Sequence, residues 1–207
     1  MAYPYSKSET IADAAVHATG LIMAVPGVAL LMAYAAQTSS AALGATTLYA
    51  ICLLVALTAS AAYHMCPFDR LRPMLHRIDH AAIYFKIAGS YTPFAAVLDT
   101  TLAYTVLALV WVLACVGAVA KLSFWRTDAK GSLALYLGMG WLSALLIWPM
   151  WLHLSGAVVW LVVAGGLIYS VGTKVYAHPG MRYQNAIWHS FVLTASTCLF
   201  AAVAMSV

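Results

Sequence analysis

Four polar side chains lie in or beside long apolar runs of this sequence: Ser60, His64, Asp79 and His189. An ionisable group inside a membrane span costs about 2.5–3.5 kcal/mol even on the lenient insertion scale, so such groups usually mark a functional site. Two imidazoles and a carboxylate are plausible ligands for Zn²⁺, which at catalytic sites keeps one position for water. Zinc activates that water for attack on an amide or ester carbonyl, and Ser60 would support the site through a hydrogen bond.

The spacing of the polar residues strengthens this grouping. Ser60 and His64 are four residues apart and share a helix face, and so do Asn185 and His189. A third set near the N-terminus follows the same four-residue steps: Glu9, Asp13 and His17. We therefore count these three as further polar candidates for the same site.

The composition predicts an integral membrane protein. Of 207 residues, 64% are hydrophobic and only 8% are charged, whereas soluble domains carry about 25% charged residues. Seven runs are long enough to cross a bilayer as helices. Their approximate bounds are 17–37, 43–66, 79–98, 102–123, 132–152, 155–176 and 184–206. We expect one all-α domain over residues 1–207, a bundle of seven transmembrane helices.

The basic residues predict the orientation of the bundle. Nine of the ten lie before the first run or in and beside the second, fourth and sixth connections, the fourth of which contains Arg126. The positive-inside rule then gives a cytoplasmic N-terminus and an extracytoplasmic C-terminus, in a multi-pass protein of the inner membrane. In this topology His64, Asp79 and His189 fall in one layer near the inner leaflet. The net charge of +4 reflects topology and indicates no nucleic-acid partner.

The tenth basic residue, Lys86, lies inside the third run. It follows Asp79 by seven residues, which places it on nearly the same helix face and ~10 Å deeper. Asp79 and Asp13 are candidate partners for its charge. Alternatively, its ammonium group snorkels to the inner interface. Asp79 also has a purely structural alternative, as the cap of the third run or as a partner of Arg77.

Several segments, in order along nearly the whole chain, resemble the bacterial haemolysin III-like proteins. These belong with the progestin and adipoQ receptors and the alkaline ceramidases to a superfamily of seven-span proteins. The resemblance is carried by Glu9 and His17, SAAYH at 60–64, DHAAIY at 79–84, AGSYTPF at 88–94, GMGW at 138–141 and AIWHSFV at 186–192.

The resemblance implies a buried zinc site near the cytoplasmic side. On this chain the matching metal ligands are His64 and His189, with Asp79 in an acid/base role, through or in place of the water, and Ser60 in support. Family members are linked to hydrolysis of lipid amides, to lipid-dependent signalling, and in bacteria to membrane-lipid homeostasis or haemolysis.

The chain departs from the family pattern in its last run. The family usually presents His-x-x-x-His there, and Asn185 occupies the first of these positions. A later histidine, about ten residues after His189, is replaced by Leu199. A three-histidine site cannot form from these positions. Either Asp79 coordinates directly, or Asn185 holds the water, or the metal is lost.

The sequence therefore leaves two functions open. The first is zinc-dependent hydrolysis of a lipid amide or ester, linked to membrane-lipid homeostasis. The second is a non-enzymatic sensor or receptor-like regulator, with a degenerate metal site, that binds a membrane lipid or fatty-acyl ligand. A pore-forming cytolysin has little support, because no run shows the charged and apolar faces of a water-filled pore lining.

Overall fold

The computed structural model describes residues 6–124, 130–178 and 180–207, and within them all regular structure is α-helical. Arg126, in the fourth predicted connection, lies outside the described residues. The helices are α1 (Lys7–Thr38), α2 (Ser40–Met65), α3 (Arg72–Leu98), α4 (Thr101–Ser123), α5 (Lys130–Trp141), α6 (Ala144–His153), α7 (Gly156–Tyr176) and α8 (Gln184–Ser206).

Seven of these units are long and apolar enough to cross a membrane, which confirms the predicted all-α, seven-span fold. Helices α5 and α6 form a single unit, Gly131–His153, interrupted by a turn at residues 142–143. Large apolar side chains face outward, among them Leu30 at 73% exposure and Trp148 at 69%. Such an exterior suits lipid rather than water.

The third helix begins earlier than the apolar pattern indicates. It starts at Arg72, with Pro73 in its first turn, where a proline costs no hydrogen bond. Asp79 therefore lies about two turns inside α3 and is not its cap. Arg77 does not pair with Asp79 either: its Nη1 donates to the main-chain oxygens of Lys121 and Leu122, at 3.0 and 3.3 Å.

Helix α3 is the most buried span and packs against α2, α4 and the α5–α6 unit. Helix α1 packs against both α2 and α8, and α7 packs against α8. Close approach depends on small residues: a Cβ at Gly89 would lie 2.7 Å from Cys52 Cβ, and one at Gly172 would lie 2.8 Å from Phe191 Cβ. Helices α1, α2, α3 and α8 surround the polar residues that the sequence singles out.

Candidate metal centre

Polar side chains from four helices meet at one end of the bundle, where α1 and α8 begin and α2 ends. They are Asp13 and His17 of α1, Ser60 and His64 of α2, Asp79 of α3 and His189 of α8. Residues more than 100 positions apart in the sequence are therefore in contact.

Asp13 lies at the centre of this group. Its Oδ1 accepts a hydrogen bond from Nδ1 of His189 at 2.7 Å, and its Oδ2 accepts one from Nδ1 of His64 at 2.9 Å. The three side chains are only 6%, 11% and 13% exposed for Asp13, His189 and His64 respectively. A buried carboxylate is stable only when its oxygens are paired. Asp13 thus joins α1 to both α2 and α8.

His17 adds a third imidazole to the group. Its Nδ1 donates to the main-chain oxygen of Asp13 at 2.8 Å, and the same atom lies 3.6 Å from the Oδ1 of Asp13. Because Nδ1 carries the proton, the neutral ring presents Nε2 as an acceptor. The hydroxyl of Ser60 donates to that Nε2 at 3.2 Å.

The three imidazole rings pack directly on one another. The ring centroids of His17 and His189 are 4.4 Å apart, as are those of His64 and His189, and those of His17 and His64 are 5.2 Å apart. None of the rings points into lipid. The imidazoles of α2 and α8 are therefore in direct contact.

The donor set suits a metal ion. Asp13, His17 and His189 each offer a ligand atom, and these atoms lie within 4.8 Å of one another in a buried site. His64 is not part of that set, and its Nδ1 contacts the other carboxylate oxygen of Asp13 at 2.9 Å. Imidazole nitrogens with a carboxylate are a typical zinc set, and they fit Ca²⁺ or Mg²⁺ poorly because those ions prefer oxygen.

Asp79 lies beside Ser60 and His64, as the sequence suggests. It is buried, and its carboxyl group interacts with the hydroxyl of Ser60 and with the charges of His64, Asp13 and Lys86. Ser60 therefore links Asp79 to His17. The carboxylate bonded to both His64 and His189 is that of Asp13, since α1 lies between α2 and α8 and reaches both.

Glu9 and Asn185 lie at the edge of the group. Glu9 Oε1 accepts a hydrogen bond from the main-chain nitrogen of Tyr183 at 2.9 Å, which ties the start of α1 to the residue before α8. Its Oε2 accepts from the main-chain nitrogen of Ser6 at 2.9 Å and closes a capping box. Asn185 and Asp13 line a pocket of about 10 Å³, close to the smallest volume that holds one water molecule.

Lys86 lies inside the bundle. Lys86 is 9% exposed, and its Nζ lies 5.3 Å from the ring centroid of Tyr169 on α7. Asp79 is within electrostatic range of this ammonium group. In the part of the chain that the structure describes, no carboxylate forms a direct ion pair with it.

The first helix contributes more residues to the site than the sequence alone indicates. The sequence analysis placed His64, Asp79 and His189 first. It proposed Asp13 and His17 only as further candidates, although their four-residue steps were the signal that α1 presents one polar face. A cluster of aromatic rings beside His64 was also not predicted. Tyr63 stacks on His76 at 4.6 Å and meets His64 edge-on at 4.7 Å, and His76 meets His80 at 4.5 Å.

Comparisons with known proteins identify the family. The family model described as Haemolysin-III related matches residues 5–200. The chain is 37% identical to the Hemolysin-3 homolog of Bacillus subtilis over 96% of this chain and 94% of that protein. It is 36% identical to Hemolysin-3 of Bacillus cereus, over 94% and 90%. It is also 31% identical to the human Monocyte to macrophage differentiation factor, over 62% of this chain and 53% of that protein. With its seven spanning helices, this chain belongs to the haemolysin III-related family of multi-pass membrane proteins.

Proposed function

We propose that this protein is a zinc-dependent hydrolase that cleaves an amide or ester bond of a membrane lipid. The observation that carries the proposal is the buried group in which one carboxylate, Asp13, contacts the imidazoles of His64 and His189. A lone buried histidine is ordinary packing. Here three helices bring three imidazoles and a carboxylate together inside the bundle. Burying so many polar groups costs free energy, and such arrangements occur mostly at functional sites.

Asp13, His17, His64 and His189 would hold the ion. When bound, Zn²⁺ supplies Lewis acidity that activates a water molecule and polarises a carbonyl group near neutral pH. The carboxylate of Asp13 takes the place of the imidazole that Asn185 does not provide. The side chains of the site are buried, and the contacts among α1, α2 and α8 would keep them in place.

The remaining polar residues would move protons. Asp79 is suited to accept a proton from the attacking water and to return it to the leaving amine or alcohol, while the carbonyl carbon forms its new bond to oxygen. Ser60 lies between Asp79 and His17. With Nε2 of His17 taken by the ion, the hydroxyl of Ser60 would be free to donate to the developing oxyanion. The C–N or C–O bond of the carbonyl group breaks, and the products are a fatty acid and the corresponding amine or alcohol.

Water would reach the site at the same end of the bundle. The pocket lined by Glu9, Asp13 and Asn185 has a volume of about 10 Å³, which is close to the size of one water molecule and too small for a lipid. The lipid itself would enter laterally, between helices. With the N-terminus in the cytoplasm, we place this chemistry at the cytoplasmic side of the inner membrane and its role in membrane-lipid homeostasis.

Metal content and turnover test the proposal together. Purified wild-type protein should carry close to one zinc per chain, and His189→Ala should carry far less. His153→Ala is the matched control, because His153 lies at the end of α6, away from this group. Ser60→Ala should keep its zinc but lose turnover on lipid amides and esters in proteoliposomes. Equal, negligible zinc in wild type and His189→Ala would refute the metal centre. A zinc-loaded protein that returns every lipid intact would refute hydrolysis and favour the sensor.

A further inference from the structure

The corner between α2 and α3 has an exposed apolar surface. This α2–α3 corner, residues 66–78, contains the connection after α2 and the first two turns of α3. The apolar run of α3 begins only at about residue 79, so the corner lies at the depth of the lipid head groups, at the same end of the bundle as the metal centre. Four large apolar side chains are nevertheless 37–64% exposed there: Phe68, Leu71, Met74 and Ile78. Such side chains at the membrane surface are suited to contact with lipid.

Positive charge alternates with these apolar side chains along the corner. Residues 66–78 contain three arginines, at positions 70, 72 and 77, and one acidic residue, Asp69, which gives a net charge of +2 with histidine neutral. Asp69 lies within electrostatic range of Arg72. Among the described residues, no carboxylate forms a salt bridge with Arg70 or Arg77. Two positive charges of the corner are therefore not neutralised by this part of the chain.

Arg77 is held in place at the corner by the neighbouring helix. Its Nη1 donates to the main-chain oxygens of Lys121 and Leu122 at 3.0 and 3.3 Å, which joins the start of α3 to the end of α4. A guanidinium group has five N–H donors, and these bonds use only those of Nη1. The donors on Nε and Nη2 remain for a phosphate group, which arginine binds in a bidentate manner. At the end of α4, Leu122 and Phe124 are 50% and 73% exposed.

We propose that the α2–α3 corner binds an anionic phospholipid of the surrounding membrane, with its phosphate group on Arg70 and Arg77. The lipid would lie on the outside of the bundle, with its hydrocarbon against the exposed apolar side chains of the corner. A nucleic acid or a free phosphate ion would satisfy the arginines but leave those side chains in water. A zwitterionic phospholipid would cover them but bring no net negative charge.

The bound lipid would fasten the beginning of α3 to the end of α4. Arg77 precedes Asp79 by two residues, so the lipid would hold the start of the helix that carries the proposed acid/base residue. This binding needs neither the metal nor turnover.

Titration of purified protein in detergent with phosphatidylglycerol and with phosphatidylcholine of identical chains tests the site, with bound lipids counted by native mass spectrometry. Wild type should prefer phosphatidylglycerol. Arg70→Gln should weaken its binding about fivefold and Arg70→Gln with Arg77→Gln about tenfold or more, because each arginine near the membrane surface adds to the attraction. Binding of phosphatidylcholine should not change. The matched control is Lys7→Gln with Lys174→Gln, which removes two exposed positive charges outside the corner and should bind phosphatidylglycerol as wild type does.

Thermal unfolding of the same variants guards against a folding defect. Phosphatidylglycerol should raise the unfolding temperature of wild type and of the control, and raise that of the double arginine variant far less. Arg70 is exposed, so Arg70→Gln tests the site even where a change at Arg77 disturbs α4. Inorganic phosphate should give no such protection, which distinguishes the head group of a lipid from a free anion.

Four results would each overturn the proposal. They are equal binding of phosphatidylglycerol by wild type and the arginine variants, an equal loss in the lysine control, no preference of wild type for phosphatidylglycerol, and protection by inorganic phosphate as strong as that by the lipid. Because His189→Ala should bind phosphatidylglycerol normally, failure of the metal centre leaves this result unaffected.

Discussion

Asp13→Asn is the substitution that most sharply separates a metal ligand from a packing residue. The two side chains have nearly the same shape, so the packing of α1 between α2 and α8 is preserved. Asparagine carries no charge, and it replaces one acceptor oxygen with a donor NH₂ group. One of the two contacts, to Nδ1 of His189 at 2.7 Å or to Nδ1 of His64 at 2.9 Å, must therefore be lost or reversed.

The size of the effect follows from these contacts. A hydrogen bond to a charged group contributes about 1.5–3 kcal/mol, and a tenfold change in affinity corresponds to about 1.4 kcal/mol. Loss of one such contact predicts a fall in zinc affinity of at least about 10–100-fold. Loss of the anionic ligand itself can only add to this figure.

Competition with a chromophoric zinc chelator in detergent measures the affinity directly. Asp99→Asn is the matched control, because Asp99 caps the opposite end of α3 and asparagine tolerates its left-handed backbone, with φ of 45°. Its zinc affinity should equal that of wild type. If Asp13→Asn binds zinc as tightly as Asp99→Asn, then Asp13 is not a ligand and our reasoning about the first helix is wrong.

Three further predictions follow from the same geometry. Asn185→His places an imidazole in the pocket beside Asp13, and zinc affinity should rise about tenfold or more in the chelator assay; an unchanged affinity would show that this pocket does not face the metal. Gly89→Ala should lower the unfolding temperature, because its Cβ would lie 2.7 Å from that of Cys52 and overpacking costs about 1–3 kcal/mol. Gly138→Ala, where a Cβ meets no atom within 4 Å, should unfold at or above the wild-type temperature, and equal losses in both would contradict the packing argument. A reporter enzyme that works only outside the cytoplasm should be active when it is fused to the C-terminus. Activity of a reporter that works only in the cytoplasm would reverse the predicted topology.

The number of spanning helices was predictable because membrane insertion demands long apolar runs, and these are visible in the sequence. The start of α3 was not. Arg72, His76 and Arg77 make its first two turns polar, so the apolar run begins about two turns after the helix does. Hydropathy reports where the lipid begins, whereas main-chain hydrogen bonding determines where the helix begins.

The location of the site could be predicted from the sequence, but only some of its residues could. Topology alone brings His64 and His189 to one end of the bundle. Which carboxylate lies between them depends on which helix fills the space between α2 and α8, and no spacing rule contains that information. The structure gives this position to α1, and hence to Asp13. The surroundings of Lys86 were likewise open, since Tyr169 comes from a helix distant in sequence.

X-ray absorption at the zinc edge of the purified, zinc-loaded protein would identify the atoms bound to the ion. We expect only nitrogen and oxygen donors, with imidazole scattering that decreases in His189→Ala and a changed set of nearest donors in Asp13→Asn. Sulfur donors, or identical spectra for wild type and both variants, would contradict a zinc centre built on Asp13, His64 and His189.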